Sequence, residues 1–118
     1  MIGKPKKSLG QHWLTNKYYL EKMTQAADLK TGEVILEIGP GQGILTEALL
    51  TQGAQVIAVE KDKGLIFNLN EKFKSAIDQG QLKLIEADIL KFKPEEQIKE
   101  NYKIIANIPY YITGKILD

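Results

Sequence analysis

The chain has 118 residues, 43% of them hydrophobic and 26% charged, with a formal net charge of +1. That length suffices for one small domain with a buried core, and the near-neutral balance lacks the basic surplus that marks many nucleic-acid binders. There are no cysteines, which excludes structural disulfides and thiolate metal sites, and the longest apolar runs fall far short of a membrane span.

Strand-like and helix-like segments alternate along the chain, the pattern of a parallel α/β sheet. Residues 1–13 read as an extended, Lys-rich arm with no apolar core behind it, unlike a secretory signal. Thr15 or Asn16 can cap a helix running to about Asp28, with Leu20, Met23 and Ala27 on one face. Gly32 marks a turn. Val34-Ile35-Leu36-Glu37-Ile38 suits a short buried strand. A glycine-rich turn follows, then a helix bearing Ile44, Leu45, Ala48 and Leu49, which Gly53 ends. Gln55 to Val59 reads as a second strand. Asp62 can cap the next helix, whose apolar face is Leu65, Ile66, Leu69, Phe73 and Ile77, and Gly80 closes it. Leu82 to Glu86 is a third strand. Pro94 opens a short helix, where proline is tolerated in the first turn. Tyr102 to Ala106 is a fourth strand. Right-handed crossovers place these strands in the order 3-2-1-4. Strand 4 is then an apolar, uncovered edge, which natural domains avoid, so the chain reads as a fragment.

The turn after the first strand is Glu37-Ile38-Gly39-Pro40-Gly41-Gln42-Gly43. Glycines between a strand and a helix let the backbone approach a ligand closely. The dinucleotide fingerprint requires Gly or Ala at position 44, where this chain has Ile44. Pro40 stiffens the loop. A G-x-G-x-G loop preceded by an acid fits S-adenosylmethionine, a ligand with no pyrophosphate to cradle. The plainer reading is a glycine corner that only joins strand to helix. Two strand-end acids tilt the balance. Glu60 closes strand 2, where a carboxylate can accept both ribose hydroxyls; its plainer alternative is a solvated residue paired with Lys61 or Lys63. Asp88 follows strand 3 and can accept from an adenine amino group; its plainer alternative is an N-cap or Asx turn before Ile89. Lys61 and Ile89 flank these acids. All lie at carboxyl ends of strands, where open α/β sheets bind ligands.

Asn107-Ile108-Pro109-Tyr110 follows strand 4, beside strand 1. An adenine N6 is a poor nucleophile because its lone pair is delocalised into the ring. Two acceptors on its hydrogens hold it and favour pyramidalisation: the Asn107 side-chain oxygen and the Ile108 carbonyl, with Pro109 keeping Ile108 extended. Tyr110 can stack on a base drawn out of its own stack. Asparagine has no useful basicity, so the chemistry is in-line displacement governed by positioning and electrostatics. The plainer reading of Asn-x-Pro-Tyr is an ordinary turn. In the arm, Lys6 and Lys7 can meet phosphates. His12, the only histidine, has no visible partners for a metal and is assigned a polar contact to the cofactor. Trp13 and Leu14 are expected to pack the arm onto the sheet.

Together these segments resemble the ribosomal RNA adenine N6,N6-dimethyltransferases, the kasugamycin-resistance methyltransferase A and dimethyladenosine transferase family. The matching pieces are Ser8-Leu9-Gly10-Gln11-His12-Trp13-Leu14, Glu37 to Gly43, Val59-Glu60, Ala87-Asp88 and Asn107-Ile108-Pro109-Tyr110-Tyr111-Ile112-Thr113, in order across nearly the whole chain. The resemblance implies a Rossmann-like S-adenosylmethionine-dependent fold, of which residues 1–118 are the N-terminal part, without the remaining strands and the small helical domain. It implies that His12, Leu14, Gly39, Glu60, Asp88 and Asn107 contact the cofactor, with Gln11 nearby, and that Asn107 to Tyr110 hold the target adenine. Pro40, Gly41, Lys61 and Ile89 complete the expected cofactor set. Trp13 stands where the family usually has phenylalanine, and His12 where asparagine is common. The related macrolide-resistance methyltransferases of the large subunit usually carry serine at the positions of Gly10 and Pro40, so those two residues favour a small-subunit target. The expected activity is dimethylation of two adjacent adenosines near the 3′ end of small-subunit RNA, by a cytoplasmic, monomeric, metal-free protein acting on a pre-30S-type particle. The rivals are the large-subunit enzyme, a non-catalytic assembly or transcription factor on the same fold, and a nicotinamide-dependent oxidoreductase, which Ile44 disfavours.

Overall fold

The computed structural model describes residues 21, 22, 24, 25 and 28–106. Four parallel strands form one sheet in the order β3-β2-β1-β4. They are β1 (Val34–Ile38), β2 (Gln55–Glu60), β3 (Leu82–Glu86) and β4 (Tyr102–Ala106). The helices between them are α1 (Ile44–Thr51), α2 (Lys63–Lys72), α3 (Lys74–Asp78) and α4 (Pro94–Gln97). Of the helix expected from Thr15 or Asn16 to Asp28, the described part is helical at Glu21, Lys22, Thr24 and Gln25. The expected strand order and the bounds of β1, β3 and β4 agree with the structure, and β2 runs one residue further, to Glu60.

β1 is the central strand. All five of its residues are buried, and it pairs in register with β2 (Val34 opposite Gln55, Ile38 opposite Val59) and with β4 (Val34 opposite Tyr102, Ile38 opposite Ala106). Alternation along the strand sends its side chains to two separate cores. Ile35 joins Leu45, Leu49, Val56, Ala58, Leu69, Phe73 and Leu82 on the face covered by α1 and α2. Val34, Leu36 and Ile38 join Val59 and Ile98 on the opposite face, packed by Ile85, Ile89 and Phe92. Each fully buried aliphatic side chain contributes about 1.5–3 kcal/mol. Glu37 lies on the face of Ile35 and therefore points toward α1.

Backbone chemistry sets the helix limits. Asp62 caps α2 as expected, its carboxylate accepting from the Leu65 amide at 3.0 Å. α1 ends in a Schellman arrangement: the Gly53 amide reaches the Leu50 carbonyl and the Ala54 amide that of Leu49. The single helix expected across Leu65 to Ile77 is instead bent at Phe73, whose φ of −112° and ψ of 28° separate α2 from α3. The bend follows from packing, since Phe73 and Leu69 form the floor beneath Gly43. Phe67 falls on the outer side of α2 and is 64% exposed.

At the amino ends of the strands, Lys103 of β4 pairs with Glu33 at 3.0 Å and donates to the Asp28 carbonyl at 3.0 Å. These contacts tie β4 to the segment entering β1. Ile104, on β4, is 47% exposed.

Gly43 carries two constraints at once. Its φ is +87°, and a Cβ there would stand 2.5 Å from Phe73 Cε2 and 3.0 Å from Leu69 Cδ2. Gly32 has nearly the same φ, +85°, with nothing within 4 Å of its notional Cβ. The left-handed backbone alone costs an alanine roughly 1–2 kcal/mol, and overpacking adds about 1–3 kcal/mol. Urea denaturation of Gly43→Ala and Gly32→Ala should therefore show the larger loss at Gly43, by at least about 1 kcal/mol; equal losses would remove the packing role given to Phe73.

Candidate cofactor site at the carboxyl edge of the sheet

The ends of β1, β2 and β3 are laced together. The Gly39 amide donates to the Val59 carbonyl at 3.0 Å, carrying the β1–β2 ladder one step past the strand. The Ala87 amide donates to the Glu60 carbonyl at 3.1 Å, doing the same between β2 and β3. From Gly39 the loop turns tightly, with the Gly43 amide on the Pro40 carbonyl at 2.9 Å. Gly39, Gly41 and Gly43 all have positive φ. Lys72 secures the loop from outside, donating to the Gln42 carbonyl at 3.2 Å while its ammonium lies 5.3 Å from the Phe73 ring centroid.

Glu60 is the hinge of the arrangement. It is 9% exposed, its Oε1 accepts from the Gly41 amide at 3.3 Å, and its Oε2 accepts from the Asp62 amide at 3.0 Å. The carboxylate thus turns inward onto the loop, and no ion pair to Lys61 or Lys63 is found among the described residues. A carboxylate offers about four lone-pair sites, so two further donors can be received. The loop also has clearance: a Cβ at Gly41 would meet nothing nearer than the Gly39 carbonyl at 4.0 Å. A backbone-lined loop with open space beside a half-used carboxylate fits a ligand bearing a pair of hydroxyls.

Asp88 is placed beyond β3, and its plainer reading is realised: Oδ1 accepts from the Leu90 amide at 2.9 Å in an Asx turn. That bond occupies one of its two oxygens. Ile89 packs into the second core, and Lys61 is exposed. The structure therefore brings Gly39, Pro40, Gly41, Glu60 and Lys61 to one edge of the sheet, with Asp88 and Ile89 following the adjacent strand. Gln11, His12, Leu14, Asn107, Ile108, Pro109 and Tyr110 lie outside the described residues.

The sequence marks Glu37 only as the acid that precedes the loop. In the structure it is completely buried. Its Oε1 accepts from the Thr46 hydroxyl at 2.5 Å, and its Oε2 has no partner among the described residues. Burial pushes its carboxyl pKa up to about 7; the Thr46 hydrogen bond works against this shift, and the Glu60 charge adds to it. The available signal was a lone acid within an apolar strand and a threonine in the first turn of α1.

A model of the ribosomal RNA adenine dimethylase family matches residues 2–118. The chain belongs to that family. The ribosomal RNA small subunit methyltransferase A of Dehalococcoides mccartyi is 50% identical over 116 residues, covering 97% of this chain and 39% of the relative. The chain therefore spans about 39% of the length of that curated family member. Among solved structures, the 23S rRNA methyltransferase ErmE superposes with a TM-score of 0.74 at 29% identity, over 86% of this chain and 39% of the other. A dimethyladenosine transferase from Plasmodium falciparum does so with a TM-score of 0.65 at 31% identity, over 86% and 35%. The family, and its Rossmann-like methyltransferase fold, are those anticipated from the motifs. Among the described residues no helix is long and apolar enough to cross a membrane.

The buried acid has a thermodynamic consequence for this member of the dimethylase family. The folded-state pKa of Glu37 lies above its ordinary value of 4.5, so the folded chain binds more protons than the unfolded chain between those values. Its contribution to stability is fully present below pH 4.5 and lost as pH rises through about 7. Glu37→Gln, which cannot ionise, should flatten that part of the pH–stability curve. Denaturant titrations from pH 5 to pH 8 should show wild type losing roughly 2–3 kcal/mol more than the variant over that range; parallel curves would contradict an acid protonated in the folded state.

Proposed function

We propose that the protein uses S-adenosylmethionine to dimethylate N6 of two adjacent adenosines near the 3′ end of small-subunit ribosomal RNA, during assembly of a pre-30S-type particle in the cytoplasm. The observation that carries this reading is the junction of Glu60 with the glycine loop, in a chain of the adenine dimethylase family. The small-subunit target is favoured over the large-subunit one by 50% identity to the small-subunit enzyme against 29% to the 23S enzyme.

In this reading Glu60 accepts the two ribose hydroxyls, and Asp88 accepts from the adenine amino group of the cofactor with the oxygen its Asx turn leaves open. Gly39, Pro40 and Gly41 present backbone to the methionine portion, while Lys61 and Ile89 border the nucleoside. His12 and Leu14 of the arm contact it, with Gln11 nearby. The bound cofactor supplies an electrophilic methyl group on a sulfonium. The Asn107 side-chain oxygen and the Ile108 carbonyl hold the N6 hydrogens of the target, Pro109 fixes the Ile108 carbonyl, and Tyr110 stacks on the extruded base. No residue is assigned as general base. The attacking nitrogen is positioned in line with the methyl group, and its proton departs to water after transfer.

The test is incubation of the protein with immature small subunits and methyl-labelled S-adenosylmethionine, followed by mass spectrometry of the digested RNA. Two dimethyladenosines in neighbouring positions are expected. Asn107→Ala should reduce transfer by at least about 100-fold, as loss of a transition-state hydrogen-bonding group does elsewhere. Glu60→Gln should weaken cofactor binding by roughly 10- to 100-fold, the worth of charge-assisted hydrogen bonds. Full transfer by Asn107→Ala, or cofactor affinity unchanged in Glu60→Gln, would remove the corresponding role.

A further inference from the structure

Glu37 is a second carboxylate at the cofactor edge, with no part in the scheme above. It sits two residues before the glycine loop, sealed beneath α1 with no accessible surface. One oxygen is engaged by the Thr46 hydroxyl and the other has no partner among the described residues. An ionised carboxylate so placed leaves negative charge uncompensated in a dry site, which is costly. A protonated carboxyl removes that charge.

Among the described residues no cation is placed to stabilise the anion. β2 brings Ala58 opposite Glu37 and, two residues on, the carboxylate of Glu60. β4 brings Ile105 opposite it. α1 brings Thr46, while its Glu47 is exposed and lies 3.9 Å from Lys72. Among the described residues the charged neighbour acting on Glu37 is Glu60, which repels a second negative charge.

We infer that Glu37 is a proton-carrying counter-ion in waiting: it holds a proton more tightly while the loop is empty, releases it when a cationic ligand settles on the glycine loop, and so distinguishes a sulfonium methyl donor from its uncharged thioether product. This rests on the proposed use of S-adenosylmethionine. The balance is simple. The acid O–H bond breaks, the proton passes to solvent buffer, and the new carboxylate would offset positive charge arriving on the loop. Methyl transfer removes that charge, and Glu37 takes a proton back. A cation brought near a buried acid favours its ionised form and so lowers its proton affinity. Glu37 is therefore a positioning and selectivity element and not a catalytic residue, since Thr46 and burial keep it from touching the ligand.

Isothermal calorimetry on the chain, in two buffers of different ionisation heat at pH 7, measures the protons released on binding. S-adenosylmethionine is expected to release about half a proton, and its affinity to rise several-fold from pH 6 to pH 8. S-adenosylhomocysteine is expected to release close to none. Glu37→Gln, which mimics the neutral acid, should bind both ligands with no buffer dependence. No proton release with S-adenosylmethionine, equal release with both ligands, or release that persists in Glu37→Gln would each overturn the inference while leaving the methyltransferase reading intact. The wild-type comparison needs no variant to fold. Binding of neither ligand would overturn the methyltransferase reading and this inference with it.

Discussion

The structure depends on one constraint: β1 is enclosed on both faces by core and on both edges by later strands. β2 lies on one side of it and β4 on the other, so the chain leaves β1 in one direction and returns across it. In open α/β sheets such a reversal leaves a crevice at the carboxyl ends of the central strands. The loop from Gly39 to Gly43 emerges at that point. Its position is fixed by the most buried strand of the domain, which makes it a firm platform for a ligand.

The loop is held from three directions by different physics. Glu60 reaches it from β2 by hydrogen bonding to the Gly41 amide. Phe73 and Leu69 support Gly43 from below by packing. Lys72 reaches the Gln42 carbonyl from the end of α2. The bend between α2 and α3 belongs to this support, because it is at Phe73 that the helix departs from regular geometry. A local irregularity in the helix is thus coupled to the shape of the site.

Much of the fold was legible in the sequence because its signals are local. Short β-branched runs marked the strands, Asp62 marked a helix start, and Gly53 and Gly80 marked helix ends. Right-handed crossovers then imposed the strand order. The bend at Phe73 was not legible, because Leu65, Ile66, Leu69, Phe73 and Ile77 keep one helical period straight through it. Phe73, packed beneath Gly43 thirty positions away in sequence, sits where the two helices separate. The site was legible as a set of strand-end residues, and Gly39, Pro40, Gly41, Glu60 and Lys61 do meet at one edge. What escaped was the state of the acids. Glu37 looked like part of a motif and is instead a sealed carboxyl bound to Thr46. Asp88 commits one oxygen to an Asx turn with the Leu90 amide, which no spacing rule reveals.

Membership of the adenine dimethylase family and the geometry of the carboxyl edge support one central proposal: that Glu60 would hold the nucleoside of a cofactor against the glycine loop. The most direct measurement is a crystal structure of the protein with S-adenosylhomocysteine. The account predicts both ribose hydroxyls within about 3 Å of the Glu60 carboxylate oxygens, with the methionine portion lying along Gly39 to Gly41. A ligand bound away from this edge, or a ribose held by other residues while Glu60 keeps only its Gly41 and Asp62 amides, would contradict it.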